Sequence, residues 1–244
     1  MPKTLEYETL LTLIGERSAA FRATIADAPG LGVPVPSCPG WTLADLAQHL
    51  AVGRRKWAAI VAAGPADAPP PPPAADADEL ARTTQELVDA LRAAGPDKAC
   101  WTWWPRSPSP RTAGAAARHQ VQELAVHTYD AQLALGAPRP LPDAVALDGV
   151  DEFLATCVAT DLPWPHDPVT VEYHATEGDS WRLRLSSAGA SVGRAEGPGE
   201  ADAALWGTAS DLVLLFYGRL PLDAFKIEGD RWPFEGLIEW EPGS

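Results

Sequence analysis

Apolar residues recur at helical spacing up to about residue 160 and at strand spacing after it. That switch confines the chain to a helical portion followed by a mixed one. Between residues 5 and 27, Tyr7, Leu11, Ile14, Phe21 and Ile25 fall at steps of three, four and seven, which predicts an amphipathic helix. The stretch PGLGVPVPSCPGW, residues 29–41, cannot continue it, because proline and glycine interrupt throughout. Thr42, with Asp45 three residues later, predicts a capping box. The helix it opens runs to about Ala63 with an apolar stripe of Leu46, Leu50, Gly53, Trp57 and Ile60. A third helix over roughly 78–93 carries Leu80, Leu87 and Leu91 on one side. A fourth spans roughly 111–135 and stops at Gly136, a residue suited to ending a helix. Residues 143–159 predict one shorter helix.

The connectors are equally legible. GPADAPPPPPAADAD, residues 64–78, reads as a polyproline-type solvated link. CWTWWPRSPSP, residues 100–110, is an aromatic, proline-rich loop whose tryptophans either line a pocket or, more commonly, plug the end of a bundle. After LPWPHDP, residues 162–168, VTVEY and WRLRL alternate apolar and polar residues as half-buried strands do, and ASVGRA and ADAALWG suit further strands. TASDLVLLFYG, residues 208–218, has Thr208 and Asp211 as cap signals before a helical apolar run. The reading is therefore a helix bundle over residues 1–162 and a small α+β domain over 163–244. There is no internal repeat.

A net charge of −14 sets nucleic acid and anionic membranes aside as partners. No window approaches the 18 uninterrupted apolar residues of a membrane span. The opening MPKTLEYETLLTLIGERS lacks a basic start followed by an apolar core, so no secretory signal is expected. Three scattered cysteines, Cys38, Cys100 and Cys157, suit a reducing cytoplasm better than a disulfide framework.

The chemistry concentrates in ELAVHTYDAQ, residues 123–132. Glu123 and His127 are four residues apart, which on a helix puts both on one face, about 5–6 Å apart at Cβ. A catalytic metal site takes three protein ligands and leaves a position open. His119 shares that face, but it lies eight residues from His127, about 12 Å along the axis. Metal–ligand bonds of about 2.0–2.2 Å cannot readily span both. Either His119 with Glu123 or Glu123 with His127 forms the pair, and spacing alone does not choose. The opposite helix offers His49, beside Leu46, Leu50 and Gly53. Glu123 and Asp130 together would bury two carboxylates without evident cationic partners, a cost that a divalent cation removes.

These residues carry a resemblance. PSCPGWTLADLAQHL, followed some 75 residues later by QELAVHTYDAQ, resembles the mycothiol-dependent maleylpyruvate isomerase family of actinobacteria, within the wider DinB-like metal-binding bundles. ADAALWGTASDLVLLFYGRLPLDAFKIEGD is similar to that family's sterol-carrier-like α+β C-terminal domain. The resemblance implies a DinB-like four-helix bundle followed by that domain. It implies zinc, or another divalent metal, on His49, Glu123 and His127, with His119 a neighbour. Many members carry His-Glu where this chain has Gln122-Glu123, on a helix side away from the ligands.

The resemblance further implies mycothiol as the cofactor and a small electrophilic molecule as substrate. A metal-bound thiolate adding to a conjugated double bond, followed by rotation and elimination, gives isomerisation; release of the adduct gives S-transfer. Arg219, in the turn YGRLP, matches a Gly-Arg recurring in the family and is the guanidinium expected to hold a substrate carboxylate from a cleft between the domains. Arg54 and Arg55 are weaker candidates for that task. Asp130, one turn from His127, is expected to support a ligand from behind or to accept a proton. Cys38 lies more than about 10 Å from His49 along the helix, so a packing role is expected for its thiol. The competing readings are a non-catalytic small-molecule-binding protein braced by a metal, and a hydrolase using metal-bound water. The protein is expected to be a monomer or a homodimer.

Overall fold

The structure is a computed structural model that describes residues 5–71, 74–195 and 201–240. Two residues of the proline-rich link, 72 and 73, lie outside the described residues. The chain divides into two compact units. One comprises Leu5–Trp103 and Pro110–Leu141; the other comprises Trp104–Ser109 and the chain from Pro142 onward.

The first unit is a bundle of α1 (Tyr7–Ala26), α2 (Leu43–Ala63), α3 (Leu80–Ala94) and α4 (Ala113–Ala134). Helices α1 and α2 each pack against both α3 and α4. Ile14, Phe21, Leu46, Leu50, Leu87, Leu91, Val121 and Leu124 are all fully buried between them. The start of α2 is fixed as its sequence predicts. Thr42 Oγ1 accepts from the Asp45 N–H, and Asp45 Oδ2 accepts from the Thr42 N–H at 2.8 Å. Helix α4 ends where Gly136 takes φ +72°, a left-handed conformation free of steric cost only for glycine, so that the Ala137 N–H reaches back to the Gln132 carbonyl. Trp101 and Trp103 pack near Trp57 and His119, as bundle-end packing would have them.

The second unit is a five-stranded sheet with helices on one face. Its elements are α5 (Asp143–Phe153), β1 (Val169–Ala175), β2 (Ser180–Ser186), β3 (Gly189–Arg194), β4 (Ala203–Gly207), α6 (Ala209–Phe216), β5 (Lys226–Gly229) and α7 (Trp232–Glu239). The strand order is β3-β2-β1-β4-β5, with β1 and β4 parallel and the other neighbours antiparallel. Val171, Tyr173, Leu183 and Leu205 line the buried face with Leu212 and Val213 of α6, as the period of two predicts.

Two sequence expectations change, and two elements are added. The fifth helix stops at Phe153 and continues through a wider turn, Leu154–Val158. It packs on α6, so it groups with the α+β unit, and the expected division after residue 162 falls inside that unit. Strand β5 and helix α7 had no sequence signal: KIEG is too short for alternation to register, and WPFEGLIE is only eight residues long.

Candidate metal centre

His49 comes from the middle of α2, and Glu123 and His127 from α4. These two helices pack against each other. His49 Nε2 lies 3.1 Å from Glu123 Oε1. The His49 and His127 rings meet edge to face at 5.1 Å between centroids. One donor atom from each of His49, Glu123 and His127 falls within 4.8 Å of the other two. Ligand atoms on a four-coordinate zinc stand about 3.4 Å apart, given bonds of about 2.1 Å. The donors therefore fit a cation after side-chain movements of about an ångström. His119 is not in this group; its ring faces Trp57 and Trp103. The centre is open on one side, because the His49 side chain is 40% exposed, whereas those of Glu123 and His127 are 18% and 14% exposed.

Behind the donors the side chains are tied down. His127 Nδ1 lies 2.9 Å from Asp130 Oδ2, which leaves Nε2 for the open side. Asp130 is fully buried, and its other oxygen accepts from Ser37 Oγ at 2.6 Å. The Cys38 thiol points at Asp130 Oδ2 from 3.7 Å. Ser37 and Cys38 reach the site because the loop before α2 doubles back. Pro34 bridges to Thr42, and the Trp41 N–H donates to the Cys38 carbonyl. Trp41 then packs 5.1 Å from the His49 ring. The PSCPGW stretch thus supports both histidines.

The folded loop sets the Cys38 thiol over α4, beside Asp130. Cys38, His127 and Asp130 also form a compact donor group. A cysteine inside the Pro-Ser-Cys-Pro-Gly loop just before a helix is the sequence signal for that placement.

The expectation that buried Glu123 lacks a cationic partner is overturned. Arg54 is fully buried, and its Nη1 donates to Glu123 Oε2 at 3.1 Å and to Gln120 Oε1. Gln120 Nε2 donates to the same Glu123 oxygen at 2.8 Å. Burial works to raise the Glu123 carboxyl, but the Arg54 charge, the His49 hydrogen bond and the neighbouring imidazoles outweigh it and hold Glu123 well below the usual carboxylate range. The signal was present in the sequence: Arg54 sits four residues after Leu50 and three before Trp57, inside the apolar stripe. His49 lies at the stripe's edge. Buried and committed to Glu123, Arg54 is not free to clamp a substrate. Arg55 pairs with Glu79 and Glu86.

Arg219 follows α6 in the other unit, where its guanidinium donates to the Tyr217 carbonyl. No described helix is long and apolar enough to cross a membrane.

A helix bundle with a histidine–carboxylate–histidine group open on one side, joined in one chain to an α+β unit, defines a two-unit class of protein. Residues 11–132 match the model of the mycothiol maleylpyruvate isomerase N-terminal domain, and residues 144–233 match that of the MDMPI C-terminal domain. The chain belongs to the mycothiol-dependent maleylpyruvate isomerase family, a family of enzymes. A crystal structure of the mycothiol-dependent maleylpyruvate isomerase is similar over 92% of this chain and 93% of its own, at 16% identity and a TM-score of 0.56. A histidine-to-alanine mutant of that enzyme is similar over the same shares at 15% identity and a TM-score of 0.56. At such identities the likeness speaks to the fold. No curated protein sequence matches the chain.

Proposed function

We propose that the protein is a metal-dependent enzyme that uses mycothiol as its nucleophile on a small electrophilic substrate, either isomerising it or transferring the thiol to it. The metal is zinc, held by His49, Glu123 and His127. The observation that carries this reading is the meeting of those three donors within 4.8 Å in a group open on one side. When bound, such an ion promotes ionisation of a coordinating thiol.

The chain's own residues supply the rest. Asp130 accepts from His127 Nδ1 and so keeps Nε2 unprotonated toward the open side. Arg54 and Gln120 occupy Glu123 Oε2, leaving Oε1 beside His49. The partly exposed His49 borders the opening through which thiol and substrate arrive. Arg219 is carried over from the family as the group that holds a substrate carboxylate.

We place the enzyme in the cytoplasm, where its three free cysteines stay reduced, as a monomer or homodimer. A net charge of −14 favours small-molecule work over nucleic-acid binding.

The test is metal analysis of protein purified without chelator, followed by mycothiol titration and an assay with cis-configured unsaturated acids. One equivalent of zinc with saturable thiol binding is expected. Zinc without thiol binding would point to hydrolysis or to a bracing metal, and protein that is folded and metal-free would defeat the reading.

A further inference from the structure

Arg54 is the most unusual residue near the site. It is a cation with no exposed surface on an otherwise apolar helix face. Holding it there is costly unless a partner compensates it. Its Nη1 engages Glu123 and Gln120, while Nε and Nη2 have no hydrogen-bond partner among the described residues. Such a group is a poor choice for stability alone, since apolar side chains of similar size commonly serve as well in a core.

Its geometry says what it does. Both contacts to Glu123 from behind, Arg54 Nη1 at 3.1 Å and Gln120 Nε2 at 2.8 Å, fall on Oε2. Oε1 is turned to the open side, 3.1 Å from His49 Nε2. A carboxylate with one oxygen held in this way meets a cation through the other oxygen only. If both oxygens were free it could chelate, filling a coordination position that thiol or substrate needs.

We propose that Arg54 is a positioning residue for the metal centre: with Gln120 it pins Glu123 Oε2, so that Glu123 offers a cation the single oxygen Oε1 and the remaining coordination positions stay open. The inference rests on the metal reading above and deepens it. Its effect is on coordination number, which packing alone does not control.

Cobalt(II) tests it, because four-coordinate Co2+ absorbs visible light far more strongly than five- or six-coordinate Co2+. The whole protein is loaded with Co2+ in wild-type form and as Arg54→Met, Arg54→Lys and Gln120→Leu, with folding checked by circular dichroism. The wild type is expected to give the intense band. Arg54→Met is expected to lose intensity as Glu123 swings to bind through both oxygens. Gln120→Leu should show the same change to a smaller degree and carries the test if Arg54→Met does not fold. Arg54→Lys, which keeps the charge without the fork, should fall between wild type and Arg54→Met. Folded Arg54→Met and Gln120→Leu proteins with the wild-type band would overturn the proposal. Wild-type protein that binds no Co2+ would defeat the metal reading itself, and this inference with it.

Discussion

Asp130 and His127 are joined at 2.9 Å through Nδ1 of the ring, from a carboxylate with no exposed surface. The pair is three residues apart on one helix, yet its geometry depends on Ser37, which holds the other carboxylate oxygen from a loop 93 positions earlier. Removing the acceptor should let the His127 ring turn and change tautomer. Asp130→Asn is expected to weaken zinc binding about 10- to 100-fold while the helical circular dichroism stays unchanged. Competition with a fluorescent chelator measures this, and wild-type affinity in a folded variant would show that the contact is incidental.

His49→Ala removes the donor that α2 contributes. The variant should retain the bundle, because the ring is 40% exposed and little apolar packing is lost. Elemental analysis should find zinc far below one equivalent per chain. Full occupancy would refute the ligand assignment.

Stripping the metal should lower thermal stability. A ligand bound at about 1,000 times its dissociation constant stabilises the native state by about 4 kcal/mol. Excess chelator should therefore reduce the midpoint of the bundle's melting transition by several degrees in wild type and leave His49→Ala unmoved. Equal shifts in both proteins would mean that the chelator acts elsewhere.

Gly53 stands beside the site, and a Cβ placed there would meet Glu123 Oε1 at 3.6 Å, an ordinary contact. Gly53→Ala should thus be accepted, with a gain of about 0.5–1 kcal/mol from helix propensity. Gly53→Leu extends further and should push Glu123 aside, weakening zinc binding without unfolding the bundle. Chemical denaturation and metal titration separate the two effects.

Thiol reactivity should follow burial. Burial pushes the Cys157 thiol well up, with Glu152 adding to the effect, and burial also raises Cys100 against the opposing charges of Arg111 and Lys98. The thiolate is the reactive form, so a raised value depletes it at neutral pH and delays reaction until the pH climbs. Cys38 and Cys157 are both partly exposed, but the raised Cys157 thiol is slowed, so Cys38 should react first with a disulfide reagent in native protein, with Cys100 following only on unfolding. Cys38→Ser should abolish the fast phase and retain zinc.

Much of the bundle was legible because its determinants are local. The Tyr7–Ala26 helix, the Thr42–Asp45 cap and the Gly136 stop each depend on residues within a turn or two of one another. The strands before Gly207 were equally clear, since alternation over five to seven residues marks a half-buried sheet. KIEG and WPFEGLIE escaped because so few residues establish no period. At the site, Glu123 and His127 stood out through their four-residue spacing. Arg54 stood out only as a weaker substrate clamp and not as the partner of Glu123, because a charge in an apolar stripe reads as a break in the pattern, although its register made it part of the core. The contact of Cys38 with Asp130 was not legible, because helix rise describes nothing about a loop that folds back.

The sequence by itself determined most of the helices and strands, the start of α2 and the end of α4, and that Glu123 and His127 share a face. Only the tertiary structure decided that His49 meets them across 74 residues, that His119 turns instead to Trp57 and Trp103, that Arg54 lies behind Glu123, and that the Ser37–Cys38 loop closes on Asp130. Backbone periodicity and capping act through neighbours along the chain. Meetings between side chains on different elements depend on how two helices pack and where a loop returns, and no single segment encodes either.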